Sequence, residues 1–336
     1  MDASLISGIT SEIDFTKDGK QGGFLRLPHS VHRSAYGWIP IPIVQIQNGE
    51  GPQVLLMSGN HGDEYEGQVA LTKLCKTLEP EKMRGRILIL PMANFPAAMA
   101  GTRTSPIDGG NLNREFPGNP RGTITQIIAH YIGEVLMEGM DYFLDLHSGG
   151  SSLHYLPTFF GILENEPDRS ARVRQIVEAL DFPSLILCPP EKNGRTADVM
   201  AKHKGALTFF TELGGSGTVT PEVLRLTEKA LHDFLGLVGC IDHHPAAGER
   251  EHQPQLMVVR GAQDYCYARD VGLFEPYVEL GDWVEAGQPA GAIHSPETPW
   301  AEPVALSFEA AGQVVCKRIP GRVQRGDCLF HLSAPE

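Results

Sequence analysis

V-L-L-M-S-G-N-H-G-D-E, residues 54–64, decides how this chain reads. Val54 to Met57 form an apolar run of strand length that stops at Gly59 and passes at once into polar residues. Beyond it Leu71, Leu74 and Leu78 recur at helical spacing, so the spacing predicts a helix over 64–78. A doubly buried strand feeding straight into a helix is the repeating unit of an α/β fold. The same alternation continues along the chain. R-I-L-I-L-P (86–91), Y-F-L-D-L-H (142–147), S-L-I-L-C (184–188) and A-L-T-F-F-T-E-L (206–213) read as buried strands. Residues 123–138, 168–180, 197–204 and 221–238 read as helices. The expectation is a mixed, mostly parallel sheet with helices on both faces, which places any ligand at the carboxyl ends of the strands.

The ends of the chain read differently. Residues 1–50 are rich in Gly, Pro and short β-like runs ending in I-P-I-P-I-V-Q-I-Q-N-G. The alternation and the Asn48-Gly49 dipeptide suggest a hairpin or edge strand leading into the sheet. Residues 242–255, D-H-H-P-A-A-G-E-R-E-H-Q-P-Q, read as a polar linker. After it, 256–333 consist of short β-like runs separated by Gly and Pro, a small all-β module. Two units are expected, 1–244 and 245–336. Of 336 residues, 41% are hydrophobic and 21% charged, enough for a large core. The net charge of −13 offers no basic footprint for nucleic acid. No apolar run reaches the ~18 residues of a membrane span, and the first residues carry no secretory pattern. Six scattered cysteines without a C-x-x-C pair read as buried thiols. Together these predict a reduced, cytoplasmic protein.

Three strand ends carry metal or acid–base chemistry. His61 and Glu64 form His-x-x-Glu at the start of a helix, where residues three apart share a face. His147 ends a second strand, with Asp145 on the same side of it; Gly149 and Gly150 follow and let a backbone or ligand come close. Two histidines and a glutamate with a fourth position for water are a ligand set of hydrolytic zinc sites. A histidine at a strand end is just as readily a satisfied core or surface residue. Glu212 ends a third strand before a Gly-rich turn, where it serves either as a general base or as an ordinary turn residue. The loop 103–118 carries Arg103 and Arg114, whose planar forks suit carboxylates and oxyanions. His243, His244 and His252 read as linker residues rather than a second metal site, and His154 and Tyr155 as packing residues that lie close to the pocket. No Gly-Lys-Ser/Thr follows the glycines at 214–217, which removes a phosphate loop.

G-N-H-G-D-E, N-L-N-R-x-F-P-G, D-L-H-S-G-G and T-E-L-G-G, in that order, resemble the succinylglutamate desuccinylase/aspartoacylase family of zinc amidohydrolases, relatives of the zinc carboxypeptidases. The resemblance covers most of 50–240 and continues into the β module. It implies a zinc carboxypeptidase-like fold and one Zn2+ per subunit held by His61, Glu64 and His147. It implies Glu212 as general base, Arg103 on the tetrahedral oxyanion, and Asn113 with Arg114 on a substrate carboxylate. The β module, through G-D-W-V-E-A-G-Q-P-A-G-A-I, is similar to half of a biotinyl/lipoyl barrel-sandwich domain. The stretch H-S-P-E-T-P-W-A-E-P, where a carrier lysine belongs, has none, so the module is expected to be structural or pocket-lining.

The expected partner is a small N-acyl amino acid, and a homodimer is compatible with the sequence. Chain length, the stretch L-R-L-P-H-S-V-H-R-S-A-Y-G-W-I-P-I-P-I and the T-E-L-G-G turn are most similar to the branch of the family acting on N-acetyl-L-2,4-diaminobutyrate in bacterial ectoine breakdown. The alternatives are another N-acyl amino acid such as N-succinylglutamate or N-acetylaspartate, carboxypeptidase action, and a zinc-binding protein without turnover. An extra cation in the pocket favours the dicarboxylate substrates; an acidic group near the substrate side chain favours diaminobutyrate.

Overall fold

A computed structural model describes residues 8–190, 194–245, 252 and 255–336. The expectation of no leader rests on residues 1–15, of which 1–7 lie outside the described residues. So does most of the linker 242–255, at 246–251 and 253–254.

The N-terminal strands are β1 (Thr10–Ser11), β2 (Gly19–Pro28) and β3 (Trp38–Asn48). Then β4 (Gln53–Ser58), α1 (Tyr65–Thr77), β5 (Gly85–Leu90) and α2 (Phe95–Ala100) follow. A helix α3 (Ile124–Tyr131) widens into a π-turn over Ile132–Leu136. Next come β6 (Tyr142–His147), β7 (Leu153–Tyr155), β8 (Thr158–Ile162), α4 (Pro167–Ala179) and β9 (Ser184–Cys188). Helix α5 (Ala197–His203), β10 (Leu207–Glu212) and α6 (Pro221–Leu237) complete the α/β part. The C-terminal strands are β11 (Leu256–Val258), β12 (Tyr265–Tyr267), β13 (Gly272–Pro276), β14 (Trp283–Val284), β15 (Pro289–His294), β16 (Val304–Ser307), β17 (Gly312–Arg318), β18 (Arg322–Val323) and β19 (Cys328–Pro335).

The main sheet runs β1-β2-β3-β5-β4-β6-β10-β8-β9-β11-β19-β17-β14. Strands β5, β4, β6 and β10 are mutually parallel, as the apolar runs predict. The period of two sends Val54 and Leu56 to one face and Leu55 and Met57 to the other. The first pair packs with α1, α4 and α6 through Leu71, Val177 and Phe234. The second packs with α3 and α5 through Ile128 and Met200. Both faces of the sheet are therefore covered.

Three features differ from the sequence reading. Strand β8 was not anticipated; it enters antiparallel to β10 and parallel to β9. The N-terminal hairpin is β2–β3, from Gly19↔Gln47 to Pro28↔Trp38, so its turn lies at 29–37 and not at Asn48-Gly49. Gly49, at φ +61°, instead turns the chain from β3 toward β4, which do not pair with each other. Finally, the all-β C-terminal segment is joined edge to edge with the α/β part, a continuity the sequence reading does not include. Strand β11 pairs in parallel with β9 and antiparallel with β19, so one sheet runs through both parts. Strand β7 from the α/β part pairs with β17. The remaining strands β16-β15-β13-β18 form a second sheet, and Phe274, Leu306, Val314 and Phe330 lie in a core of their own. The six cysteines form no disulfide among the described residues, and Cys75, Cys188 and Cys328 are only half-buried.

Candidate metal centre and pocket

Strands β4, β6 and β10 lie side by side, and their carboxyl ends assemble the site. Ser58 is level with Leu146, and Glu212 is level with His147. The chain leaving β4 delivers His61 and Glu64 above the end of β6, where His147 waits. Gly62 makes this turn feasible: a Cβ there would lie 2.0 Å from the Ala97 backbone carbonyl. Gly149 has the corresponding role after His147, where a Cβ would lie 2.3 Å from the Leu153 carbonyl oxygen. It admits neighbouring backbone.

His61, Glu64 and His147 are all buried and offer donor atoms within 4.8 Å of one another. His61 Nδ1 is 2.7 Å from Glu64 Oε1, and His147 Nδ1 is 2.9 Å from Glu64 Oε2. The outer nitrogens are committed elsewhere. His147 Nε2 lies 2.9 Å from Asp145 Oδ2, and His61 Nε2 lies 3.1 Å from Asn111 Oδ1. Asn60 Nδ2 donates to that same Asp145 oxygen at 2.9 Å. An Nε2–H directed at an acceptor leaves Nδ1 as the free lone pair of a neutral imidazole. Two such lone pairs then face one carboxylate, an arrangement that calls for a cation between them. A proton answers part of that call. Burial disfavours charge on His147, yet Asp145 and Glu64 override it and hold the ring well above the usual imidazole range. Burial likewise opposes charge on Glu64, and the two histidines bring it well below the usual carboxylate range. A divalent ion satisfies all three donors together, and N,N,O donation of this kind suits zinc.

Glu212 stands beside this cluster. Its buried Oε2 has no hydrogen-bond partner among the described residues. Burial, reinforced by the like charge of Glu64, raises its pKa well above the carboxylate range, against the pull of His147 and Arg103. Arg103 reaches Glu64 Oε1 and His61 Nδ1, each at 3.4 Å. Asn113 is clamped from outside: its Oδ1 accepts from Ala197 N at 2.8 Å, and its Nδ2 lies 3.4 Å from His147 Nε2. Arg114 donates to the Asn113 carbonyl at 2.7 Å and has no carboxylate partner among the described residues. These seven expected residues line one pocket of about 460 Å³, together with Asp145, Tyr155, Thr196, Asp198 and Tyr265.

Residues 50–238 match the succinylglutamate desuccinylase/aspartoacylase catalytic domain family. The chain belongs to that family. It is 39% identical over 326 residues, 96% of this chain and 94% of the relative, to an N-alpha-acetyl-L-2,4-diaminobutyric acid deacetylase of Halomonas elongata. Among solved structures, a succinylglutamate desuccinylase/aspartoacylase from Rhodobacter sphaeroides superposes with a TM-score of 0.92 at 37% identity, over 98% of this chain and 99% of that one. The product-bound ectoine utilization protein EutE (DoeB) from Ruegeria pomeroyi follows at TM-score 0.91 and 34% identity, over 97% and 98%.

Several of this family member's site residues escaped the sequence reading. Asn60 and Asn111 orient the ring system, and only their places within G-N-H and N-L-N-R could have suggested it. Tyr265 reaches the pocket from the C-terminal segment, which supports a pocket-lining part for it. Tyr155 also lines the pocket rather than serving as packing alone, whereas His154 Nδ1 pairs with Ser216 Oγ at 2.8 Å. Asp63 fastens the first motif to the residue that follows the third, accepting from Ser151 N at 2.9 Å and from Ser151 Oγ at 2.8 Å. Glu66 accepts from Gly215 N at 3.1 Å, and burial raises its pKa to about 7. His243 pairs with Asp233 at 2.7 Å. No helix among the described residues is long and apolar enough to cross a membrane.

Proposed function

We propose that this chain is a zinc-dependent deacylase that hydrolyses the amide bond of an N-acyl amino acid, with N-α-acetyl-L-2,4-diaminobutyrate as the favoured substrate. The observation that carries this reading is the Glu212 carboxylate, whose buried Oε2 has no hydrogen-bond partner among the described residues, beside the His61–Glu64–His147 cluster in a pocket that also holds two arginines. The substrate follows from the identity with the Halomonas elongata deacetylase over nearly the whole chain. We also read the chain as two functional units, 1–244 carrying the chemistry and 245–336 closing one side of the pocket through Tyr265, a division supported by the separate core around Phe330.

His61, Glu64 and His147 would hold one Zn2+. When bound, the ion supplies a Lewis acid for the acyl carbonyl and acidifies a water molecule. Asp145 keeps His147 in the tautomer whose Nδ1 is free. Arg114 and Asn113 Nδ2 grip the α-carboxylate and aim the amide at Glu212. Glu212 takes a proton from water as its oxygen adds to the acyl carbon. Arg103 offers N–H groups to the negative charge that develops on the acyl oxygen. Glu212 then delivers the proton to the departing nitrogen, the C–N bond breaks, and acetate and the free diamino acid leave. A raised proton affinity suits both halves of this exchange.

Dicarboxylate substrates fit less well. Apart from the histidines, Arg103 and Arg114 are the cationic side chains lining the pocket among the described residues, and both already have parts in this scheme. The test is release of free amine from N-α-acetyl-L-2,4-diaminobutyrate by the zinc-loaded protein. Glu212→Gln should lower kcat by about 10²–10⁴-fold while bound zinc, read by elemental analysis, stays at the wild-type level. Near-normal turnover in that variant contradicts the assignment.

A further inference from the structure

Asp198 lines the pocket from the first turn of α5 and is half-buried. Among the described residues its carboxylate has neither a hydrogen bond nor an ion pair. An acid at this position ordinarily meets the open N–H groups of its own helix. Here the Ala197 N–H is already taken by Asn113 Oδ1 at 2.8 Å. Thr196, the N-cap residue, makes no capping bond either, and its buried Oγ1 has no partner among the described residues. Two unused acceptors, one of them charged, therefore lie two residues apart on the wall of one pocket.

The position of this wall is fixed relative to the chemistry. The Asn113 side chain spans from Ala197 N to within 3.4 Å of His147 Nε2. The first turn of α5 thus lies about one amide group away from the donor cluster. The arginines answer a carboxylate and an oxyanion, which leaves Asp198 as an anion without a counter-charge. A bound cation supplies this half-buried carboxylate with the charge-assisted hydrogen bond it lacks.

We propose that Asp198, with Thr196 Oγ1 beside it, is the subsite for a cationic side-chain amine, so that the enzyme selects N-acyl diamino acids over N-acyl amino acids with neutral or acidic side chains. This rests on the deacylase reading above. The ammonium donates to the Asp198 carboxylate and to the Thr196 hydroxyl while the α-carboxylate is held by Arg114.

The experiment compares N-α-acetyl-L-2,4-diaminobutyrate with N-acetyl-L-norvaline, in which a methyl group replaces the ammonium, on zinc-loaded wild type and Asp198→Asn. Wild type is expected to prefer the cationic substrate in kcat/KM by ~10–100-fold, the size of a charge-assisted hydrogen bond. Asp198→Asn should reduce that ratio by about 10-fold or more. Calorimetry provides a second reading: L-2,4-diaminobutyrate should bind the variant about 10-fold or more weakly than wild type, with zinc content unchanged. Equal losses on both substrates, or a ratio near one in wild type, overturn the subsite. Fast hydrolysis of the norvaline derivative by wild type without that preference leaves the deacylase reading standing and removes the subsite alone. Chelator-sensitive amine release from neither substrate removes both.

Discussion

His147 shows how much a single side chain depends on the residues behind it. Its ring is useful as a metal donor only in the tautomer that leaves Nδ1 bare, and Asp145, 2.9 Å from Nε2, selects that tautomer. Asp145→Asn should therefore lower zinc affinity by about 10–100-fold with the fold intact. Competition against a chelator of known affinity measures it, and unchanged affinity would show that Asp145 does not orient the ring. At this scale much of the site was legible in advance. His61, His147 and Glu212 each follow an apolar run of strand length, so position and chemistry pointed the same way. Asn111 and Asp198 gave no such signal. Asn111 lies in a polar loop and Asp198 between apolar helix residues, and the partner of the one and the lack of a partner for the other depend on contacts made far along the chain.

The turn from β4 into α1 brings two of the three donors and has little room to adjust. A Cβ on Gly62 would strike backbone at Ala97, not the flexible end of a side chain. Gly62→Ala is expected to cost about 1–3 kcal/mol of stability through overpacking. Displacement of the turn should also reduce bound zinc, because His61 and Glu64 flank the altered residue. Denaturant unfolding and zinc content measured on one preparation test this, and wild-type values in both would refute the crowding. The elements themselves were largely visible where period and length agreed, as in α1, α6 and the strands at 54–58 and 142–147. Strand β8 was not, because Thr158–Ile162 is a short apolar run close to the Gly-rich turn after His147. Nothing local tells such a run whether it pairs, or with which neighbour.

For the whole molecule, the sheet that passes from β9 through β11 into β19 joins the C-terminal segment to the α/β part. That continuity lies in long-range pairing and could not be read from the change of texture near residue 256. It brings Tyr265 to the pocket and buries His331 against it, with ring centroids 4.2 Å apart and planes 7° from parallel. Neither nitrogen of His331 has a hydrogen-bond partner among the described residues, and burial lowers its pKa from 6.5 to about 4. Between these values the unfolded chain binds the proton and the folded protein does not, so stability falls as pH falls. The contribution is intact above about pH 6.5, and about 2 kcal/mol of it should be gone by pH 5. His331→Phe keeps the aromatic stack and should flatten the stability profile by that amount between pH 7.5 and 5. Parallel profiles for the two proteins would mean that His331 titrates normally in the folded state.

All of the chemistry depends on one ion meeting three donors that are far apart in sequence. The direct measurement is an anomalous difference map from crystals of the zinc-loaded protein, recorded on both sides of the zinc absorption edge. One strong peak should lie about 2.0–2.2 Å from His61 Nδ1, His147 Nδ1 and a Glu64 carboxylate oxygen. A map with no peak among these three side chains, or with its zinc elsewhere, would contradict the account.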